Sequence, residues 1–119
     1  MKILICEDDI VTMKAIQVAF ENENVELVSV KDGLMALEQL RENTFDLIIT
    51  DIHMPFHNGD DIISLVREEQ GKNTPIVVIS SDAQEEVIQL ALRQGVNEFI
   101  KKPVDPVNLQ RKVLKFLRF

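Results

Sequence analysis

The sequence of 119 residues predicts an α/β domain, a doubly wound parallel sheet of five strands flanked by five helices. Two observations support this prediction. Short apolar runs alternate along the chain with longer segments that have helical periodicity. Three of the apolar runs are continuous, which is typical of strands covered by helices on both faces. Strict alternation over five units implies parallel strands joined by right-handed crossovers.

The five predicted strands differ in apolar content. The first, third and fourth are continuous apolar runs and are expected at the centre of the sheet. The second and fifth are weaker and have polar flanks, as expected of edge strands. The predicted strands are Ile3–Cys6, Leu27–Val30, Leu47–Thr50, Ile76–Ser80 and Phe99–Ile100.

Each predicted helix carries one apolar stripe, with polar residues on the opposite face. The stripes are Met13, Ile16, Ala19 and Phe20; Ala36, Leu37 and Leu40; Ile62, Leu65 and Val66; Val87, Ile88, Ala91 and Leu92; and Leu109, Val113, Phe116 and Leu117. Residues typical of turns and helix caps predict where the helices begin and end. The predicted boundaries are turns at Asp32-Gly33 and Asn58-Gly59, a helix start at Ser81-Asp82, a helix end before Gly95 and a helix start at Asp105-Pro106.

Composition excludes several classes of protein. Hydrophobic residues make up 45% and charged residues 28% of the chain, values that exclude collagen-like and disordered sequences. The apolar runs are too short to span a bilayer, and the N-terminus does not resemble a signal peptide, so we expect a cytoplasmic protein without membrane association. A single cysteine, Cys6, excludes a disulfide framework and predicts a buried, inert thiol.

The net charge of −7 argues against direct nucleic-acid binding by this domain. The charge is unevenly distributed, because residues 101–119 contain six basic residues and one acidic residue. A basic C-terminal helix could contact phosphate, but a solvent-exposed helix face explains the pattern equally well and is the interpretation preferred here.

Polar residues gather where the predicted strands end, which is where open parallel sheets bind ligands. Crowded carboxylates at this edge favour a small divalent cation, Mg2+ first and Mn2+ as a substitute. A serine hydroxyl and a lysine ammonium beside the cation would stabilise a phosphoryl group in transfer. The strand-end residues are Glu7, Asp8 and Asp9; Asp51; Ser80, Ser81 and Asp82; and Lys101 and Lys102.

A carboxylate is the expected nucleophile, because Cys6 is expected to be a buried, inert thiol, no histidine ends a predicted strand, and the chain has no glycine-rich phosphate loop. Asp51 is the preferred candidate, since it ends the central apolar strand. Asp9 is expected to cap helix one. Lys101 is the alternative to Lys102, but strand alternation places them on opposite faces and the adjacent proline favours Lys102. Ser81 is interpreted as a loop residue.

Five segments occur in an order and spacing that together are highly specific, although each alone is weak. They are Ile3–Asp9, Asp46–Pro55, Asn58-Gly59, Pro75–Ser80 and Lys102-Pro103. Over essentially its whole length, residues 1–119, the chain resembles the receiver domains of bacterial two-component response regulators, such as the chemotaxis regulators. The resemblance implies a flavodoxin-like fold with strand order 2-1-3-4-5.

The resemblance implies a role for each strand-end residue. Asp51 is expected to be the phosphoacceptor and also a magnesium ligand. Asp8 is expected to bind magnesium directly, Glu7 through water, and His53 through its backbone carbonyl. Lys102 is expected to form a salt bridge with the phosphoryl group, and the Lys102–Pro103 peptide bond is expected to be cis.

Two further residues resemble the switch residues of the family. Ser80 matches the Ser/Thr whose hydroxyl meets the phosphoryl group, and Phe99 matches the switch aromatic, although plain packing would also explain an aromatic residue there. His53 and Asp82 occupy positions that tune loss of the phosphoryl group in the family. A zinc site formed by His53 and His57 is disfavoured, because two histidines on one turn are usually exposed loop residues.

The expected function is that of a phosphorylatable signalling switch and not of a conventional turnover enzyme. The resemblance implies phosphoryl transfer from a sensor histidine kinase or phosphotransfer protein, and a change in the surface of helix four, strand five and helix five that controls a partner or output domain. The resemblance is also compatible with a homodimer formed through that surface. The alternatives are a pseudo-receiver without phosphorylation and a magnesium-dependent aspartyl phosphohydrolase. Such hydrolases carry a second aspartate where this chain has His53.

Overall fold

A computed structural model describes residues 1–53 and 59–117 of the chain. Within these ranges five parallel strands form one sheet in the order β2-β1-β3-β4-β5, and five helices flank it, which confirms the predicted fold class. The strands are β1 Lys2–Cys6, β2 Glu26–Val30, β3 Leu47–Asp51, β4 Ile76–Ser80 and β5 Glu98–Lys101. The helices are α1 Ile10–Phe20, α2 Gly33–Glu42, α3 Gly59–Ser64, α4 Glu85–Arg93 and α5 Pro106–Val113. A π-helical turn, Leu65–Glu69, extends α3, and a 3-10 turn, Leu114–Phe116, extends α5.

The sheet separates two apolar cores. One contains Cys6 and Ile48 and is covered by α2, α3 and α4. The other contains Ile5 and Ile49 and is covered by α1 and α5. Every residue of β3 and β4 is buried, which confirms that these runs form central strands, whereas β2 and β5 lie at the edges.

Strand register brings the site residues together. Cys6 of β1 is paired with Thr50 of β3, and Asp51 is paired with Ile79 of β4. The residues that follow these strands therefore emerge side by side at one edge of the sheet.

The helices of the described residues are all too short or too polar to span a bilayer.

Two predicted boundaries differ from the structure, and both lie at helix N-termini. Asp32-Gly33 is not a separate turn: Asp32 caps α2 by accepting a hydrogen bond from Met35 N at 2.8 Å, and Gly33 is the first helical residue. Helix α4 begins at Glu85 and not at Ser81-Asp82. The Asp82 carboxylate instead accepts a hydrogen bond from Gln84 N at 3.3 Å, so it stabilises a turn before the helix.

The fifth helix is shorter than its apolar stripe predicted. Its α-helical part ends at Val113, the next three residues form the 3-10 turn, and Leu117 is extended but still buried. Leu117 therefore matches the apolar stripe because its side chain is buried, although the residue is not helical. Asp105 caps α5 and Pro106 is its first residue, as predicted. Asn58 of the predicted Asn58-Gly59 turn lies outside the described residues, as does the C-terminus from residue 118, and Gly59 is the first residue of α3.

Cys6 is fully buried, as predicted, and should react as an inert thiol. Burial raises the pKa of the Cys6 thiol to about 12, with a hydrogen-bond interaction with Thr50 opposing the rise and the negative charge of Glu7 adding to it. We expect a thiol reagent at pH 8 to label the folded protein roughly 100-fold more slowly than the urea-unfolded chain. Equal labelling rates, measured against a Cys6→Ala blank, would contradict the buried position of this residue.

Candidate functional site

Asp51 is the last residue of β3 and is 7% exposed at the carboxyl edge of the sheet. Its Oδ1 accepts a hydrogen bond from the backbone N–H of His53 at 2.9 Å. Its Oδ2 accepts one from the Lys102 ammonium at 2.7 Å. The carboxylate is thus held in one orientation between the backbone and a cation.

Lys102 follows β5 and is the cation of the site. Its Nζ lies 2.8 Å from Glu7 Oε1 as well as 2.7 Å from Asp51 Oδ2. Burial alone would lower the pKa of Lys102, but the hydrogen bonds to Asp51 and Glu7 and the negative charges of these two carboxylates together outweigh that effect and raise the pKa. The Lys102–Pro103 peptide bond is cis, as expected, whereas Lys101 is exposed at the end of β5.

Glu7, Asp8 and Asp51 bring carboxylate oxygens within 4.8 Å of one another. Glu7 is 2% exposed and Asp8 is exposed. Burial raises the pKa of the Glu7 carboxyl to about 7, with the negative charge of Asp51 adding to the rise and Lys102 opposing it. Asp9 caps α1 through hydrogen bonds from Val11 N and Thr12 N, as predicted, so it faces the helix.

The residues of this cluster fit a magnesium ion. Carboxylate oxygens are the ligands that Mg2+ prefers, and the mixture of buried and exposed acids leaves room for water. The buried Glu7 Oε2 atom has no hydrogen-bond partner among the described residues, which leaves an acceptor available to a metal-bound water. Glu7, Asp8 and Asp51 are therefore the side chains that would hold the ion.

Ser80 and Phe99 lie on the two neighbouring strands β4 and β5. Ser80 is fully buried, and its Oγ accepts a hydrogen bond from Asp82 N at 3.1 Å. Phe99 is partly buried and packs against the core that contains Ile48. The side chain of His53 is exposed, and His57 lies outside the described residues.

Gly59 packs against the site, a role that the sequence does not predict: Asn58-Gly59 is predicted as a turn and is one of the five segments that carry the family resemblance. A Cβ atom at this position would lie 2.9 Å from Ile52 Cα and 3.0 Å from Asp51 O, which is too close for a side chain. Gly59 N also donates a hydrogen bond to Ile52 O at 2.9 Å. Glycine thus lets the start of α3 pack against the strand end that carries Asp51.

Comparison with known proteins agrees with this geometry. The model of the response regulator receiver domain family matches residues 3–114. The chain belongs to this family. The receiver is 36% identical to the chemotaxis protein CheY-3 of Vibrio cholerae, over 97% of this chain and 90% of that protein. Among solved structures, the receiver domain of Francisella response regulator 1452 matches with a TM-score of 0.87 and 27% identity, covering 97% of this chain and 94% of that one.

Some relatives of the receiver are much longer proteins. The autoinducer 2 sensor kinase/phosphatase LuxQ of Vibrio vulnificus is 33% identical over 98% of this chain, which spans 14% of LuxQ. The response regulator ArlR of Staphylococcus saprophyticus is 35% identical, and the chain spans 52% of it. Receiver domains therefore occur both as nearly whole proteins and as parts of kinases and regulators.

The raised pKa of Glu7 predicts that the stability of the receiver depends on pH. Its folded pKa of about 7 lies above the ordinary 4.5, so the cost of burying its charge is absent below pH 4.5, grows as the pH rises and is complete above pH 7. In metal-free buffer with a chelator, Glu7→Gln should raise the free energy of unfolding at pH 8 by about 2 kcal/mol and change it little at pH 4. Urea unfolding at both pH values measures this.

The matched control is Glu38→Gln, which removes an exposed carboxylate from α2. We expect this variant to show the pH dependence of the wild type. The same gain at pH 4 and at pH 8 for Glu7→Gln would contradict the raised pKa.

Proposed function

We propose that this receiver is a phosphorylatable signalling switch that accepts a phosphoryl group onto Asp51 in a magnesium-dependent reaction. The donor is a sensor histidine kinase or a phosphotransfer protein. The observation that carries the proposal is the Asp51 carboxylate, held by Lys102 and lying within 4.8 Å of the carboxylates of Glu7 and Asp8.

The chemistry uses the side chains already in place. One oxygen of the Asp51 carboxylate attacks the phosphorus atom, and the bond between phosphorus and the donor's imidazole nitrogen breaks. The Lys102 ammonium, which now contacts Asp51 Oδ2, stabilises the negative charge on the phosphoryl oxygens. Glu7, Asp8 and Asp51 would hold a magnesium ion, which would supply further positive charge to stabilise these oxygens. Water later hydrolyses the acyl phosphate and restores the carboxylate.

Phosphorylation is proposed to change the surface of α4, β5 and α5, and so to control a partner or output domain. In this structure the Ser80 hydroxyl oxygen accepts a hydrogen bond from Asp82 N, which ties it to the loop before α4. A Ser80 hydroxyl that turned to donate to the phosphoryl group would release this loop and alter the packing around Phe99. The negative charge of the phosphoryl group on Asp51 would then shift the equilibrium between two arrangements of this loop.

The test is intact-mass spectrometry after incubation with acetyl phosphate, with magnesium or with a chelator. We expect one alkali-labile phosphoryl group per chain that forms in the presence of magnesium. Asp8→Ala should weaken magnesium binding by about tenfold or more, because loss of even an outer-shell partner costs that much. A folded protein that takes up no phosphoryl group and does not bind beryllofluoride would indicate a pseudo-receiver. Unchanged magnesium affinity in Asp8→Ala would show that the ligands are wrongly assigned.

A further inference from the structure

Thr50 is a polar residue in the buried strand β3 and directly precedes Asp51. Its side chain is completely buried. Valine has almost the same shape and would suit a buried strand equally well. A hydroxyl group removed from water is costly unless it is hydrogen-bonded, so the hydroxyl at this position calls for a partner.

The partner of the Thr50 hydroxyl is the backbone of the proposed phosphoacceptor. Thr50 Oγ1 donates a hydrogen bond to Asp51 O at 2.8 Å. The pairing of β3 with β1 ends at Thr50, which lies opposite Cys6, whereas Asp51 is still paired with Ile79 of β4 on the other side. Asp51 thus lies one residue beyond the pairing with β1, and the Thr50 hydroxyl binds its carbonyl group there.

This carbonyl group belongs to the peptide that leads to the hydrogen-bond donor of the carboxylate. The next residue but one is His53, whose backbone N–H donates to Asp51 Oδ1 at 2.9 Å. Between them, Ile52 O accepts a hydrogen bond from Gly59 N at 2.9 Å. Hydrogen bonds therefore hold the carbonyl group of Asp51, the carbonyl group of Ile52 and the Asp51 carboxylate.

We propose that Thr50 is a positioning residue for phosphoryl transfer. Its hydroxyl fixes the orientation of the Asp51–Ile52 peptide, and this peptide sets the direction of the His53 N–H that holds Asp51 Oδ1. Without the hydroxyl the carboxylate rotates more freely, so it meets a phosphoryl donor less often in the reactive orientation. The effect on transfer rests on the proposed function, whereas the effect on the His53 N–H does not.

Amide hydrogen exchange of His53, measured by NMR on the whole chain without metal, tests the positioning independently of phosphorylation. Thr50→Val removes the hydroxyl and keeps the shape of the side chain. We expect it to accelerate His53 exchange roughly tenfold, because the Asp51 carbonyl loses its donor and the peptide reorients. Phosphoryl uptake from acetyl phosphate at saturating magnesium should slow by a similar factor, roughly tenfold. Thr50→Ser keeps the hydroxyl and should restore both quantities.

Thr12→Val is the matched control. Thr12 is also buried, and its Oγ1 donates to Asp9 Oδ2 at 2.6 Å, so this variant loses a buried threonine hydroxyl at the cap of α1. We expect it to leave His53 exchange and phosphoryl uptake at wild-type values. Should Thr50→Val fail to fold, Thr50→Ala removes the hydroxyl without placing a second methyl group against the Asp51 carbonyl.

Wild-type His53 exchange in a folded Thr50→Val or Thr50→Ala variant would overturn the proposal. Equal acceleration in Thr12→Val would also overturn it, because it would indicate a general loss of stability. A Thr50→Ser variant that behaves like Thr50→Val would assign the effect to the methyl group, and accelerated exchange with wild-type uptake would limit Thr50 to a structural role. A wild type that takes up no phosphoryl group but shows the predicted exchange would refute the proposed function and not the effect of Thr50 on the His53 N–H.

Discussion

Asp51→Asn is expected to abolish phosphoryl uptake from acetyl phosphate while leaving the fold intact. An amide is a far poorer nucleophile than a carboxylate, so we expect the rate of adduct formation to fall by roughly 100-fold or more. The two hydrogen bonds from His53 N and Lys102 Nζ go to different oxygens of Asp51, so the single amide oxygen can keep one of them, while the similar volume of asparagine preserves the local packing. Intact-mass spectrometry measures uptake, and circular dichroism measures the fold.

Asp46→Asn is the matched control for this variant. Asp46 immediately precedes β3, at the opposite end of the strand from Asp51, and its Oδ2 accepts a hydrogen bond from Lys2 N at 2.8 Å. We expect the control to take up phosphoryl at the wild-type rate. Phosphoryl uptake by Asp51→Asn at the wild-type rate would show that Asp51 is not the phosphoacceptor.

Lys102→Met is expected to destabilise the metal-free protein at pH 8 by about 2 kcal/mol, because it leaves two buried carboxylates without their cation. Glu7 and Asp51 are 2% and 7% exposed, and Lys102 Nζ lies within 2.8 Å of both. Methionine fills a similar volume, so the loss reports charge and not packing. Magnesium should restore part of the lost stability, because it supplies positive charge to the same oxygens.

The neighbouring lysine provides the control for Lys102→Met. Lys101 is exposed, so we expect Lys101→Met to change the free energy of unfolding by less than about 0.5 kcal/mol. Urea unfolding with a chelator and then with magnesium compares the two variants. Equal stability of the two variants, or a Lys102→Met variant that magnesium does not stabilise, would contradict the charge balance proposed for the site.

Much of the fold could be predicted because strand and helix leave different apolar patterns. The continuous runs of β3 and β4 indicated central strands, and the topology of an open parallel sheet then placed the strand-end residues at one edge. Helix starts were less predictable, since aspartate stabilises both turns and helix caps. Asp32 and Asp82 have the same side chain, but the first caps a helix and the second a turn.

Long-range contacts set the limit of prediction from sequence. The proximity of Asp51 and Glu7 could be inferred, but not that one lysine, 95 positions from Glu7, contacts both carboxylates. Gly59 gave no periodic or charge signal of its role, because that role is set by close packing of the start of α3 against Ile52 and the last residue of β3.

The measurement that tests the central claim most directly is to locate the acyl phosphate. The protein is phosphorylated with acetyl phosphate and magnesium, reduced with borohydride, which converts an aspartyl phosphate to homoserine, and digested for peptide mass mapping. We predict homoserine at position 51. Conversion at Asp8, or at any aspartate other than Asp51, would contradict the assignment of Asp51 as the residue that receives the phosphoryl group.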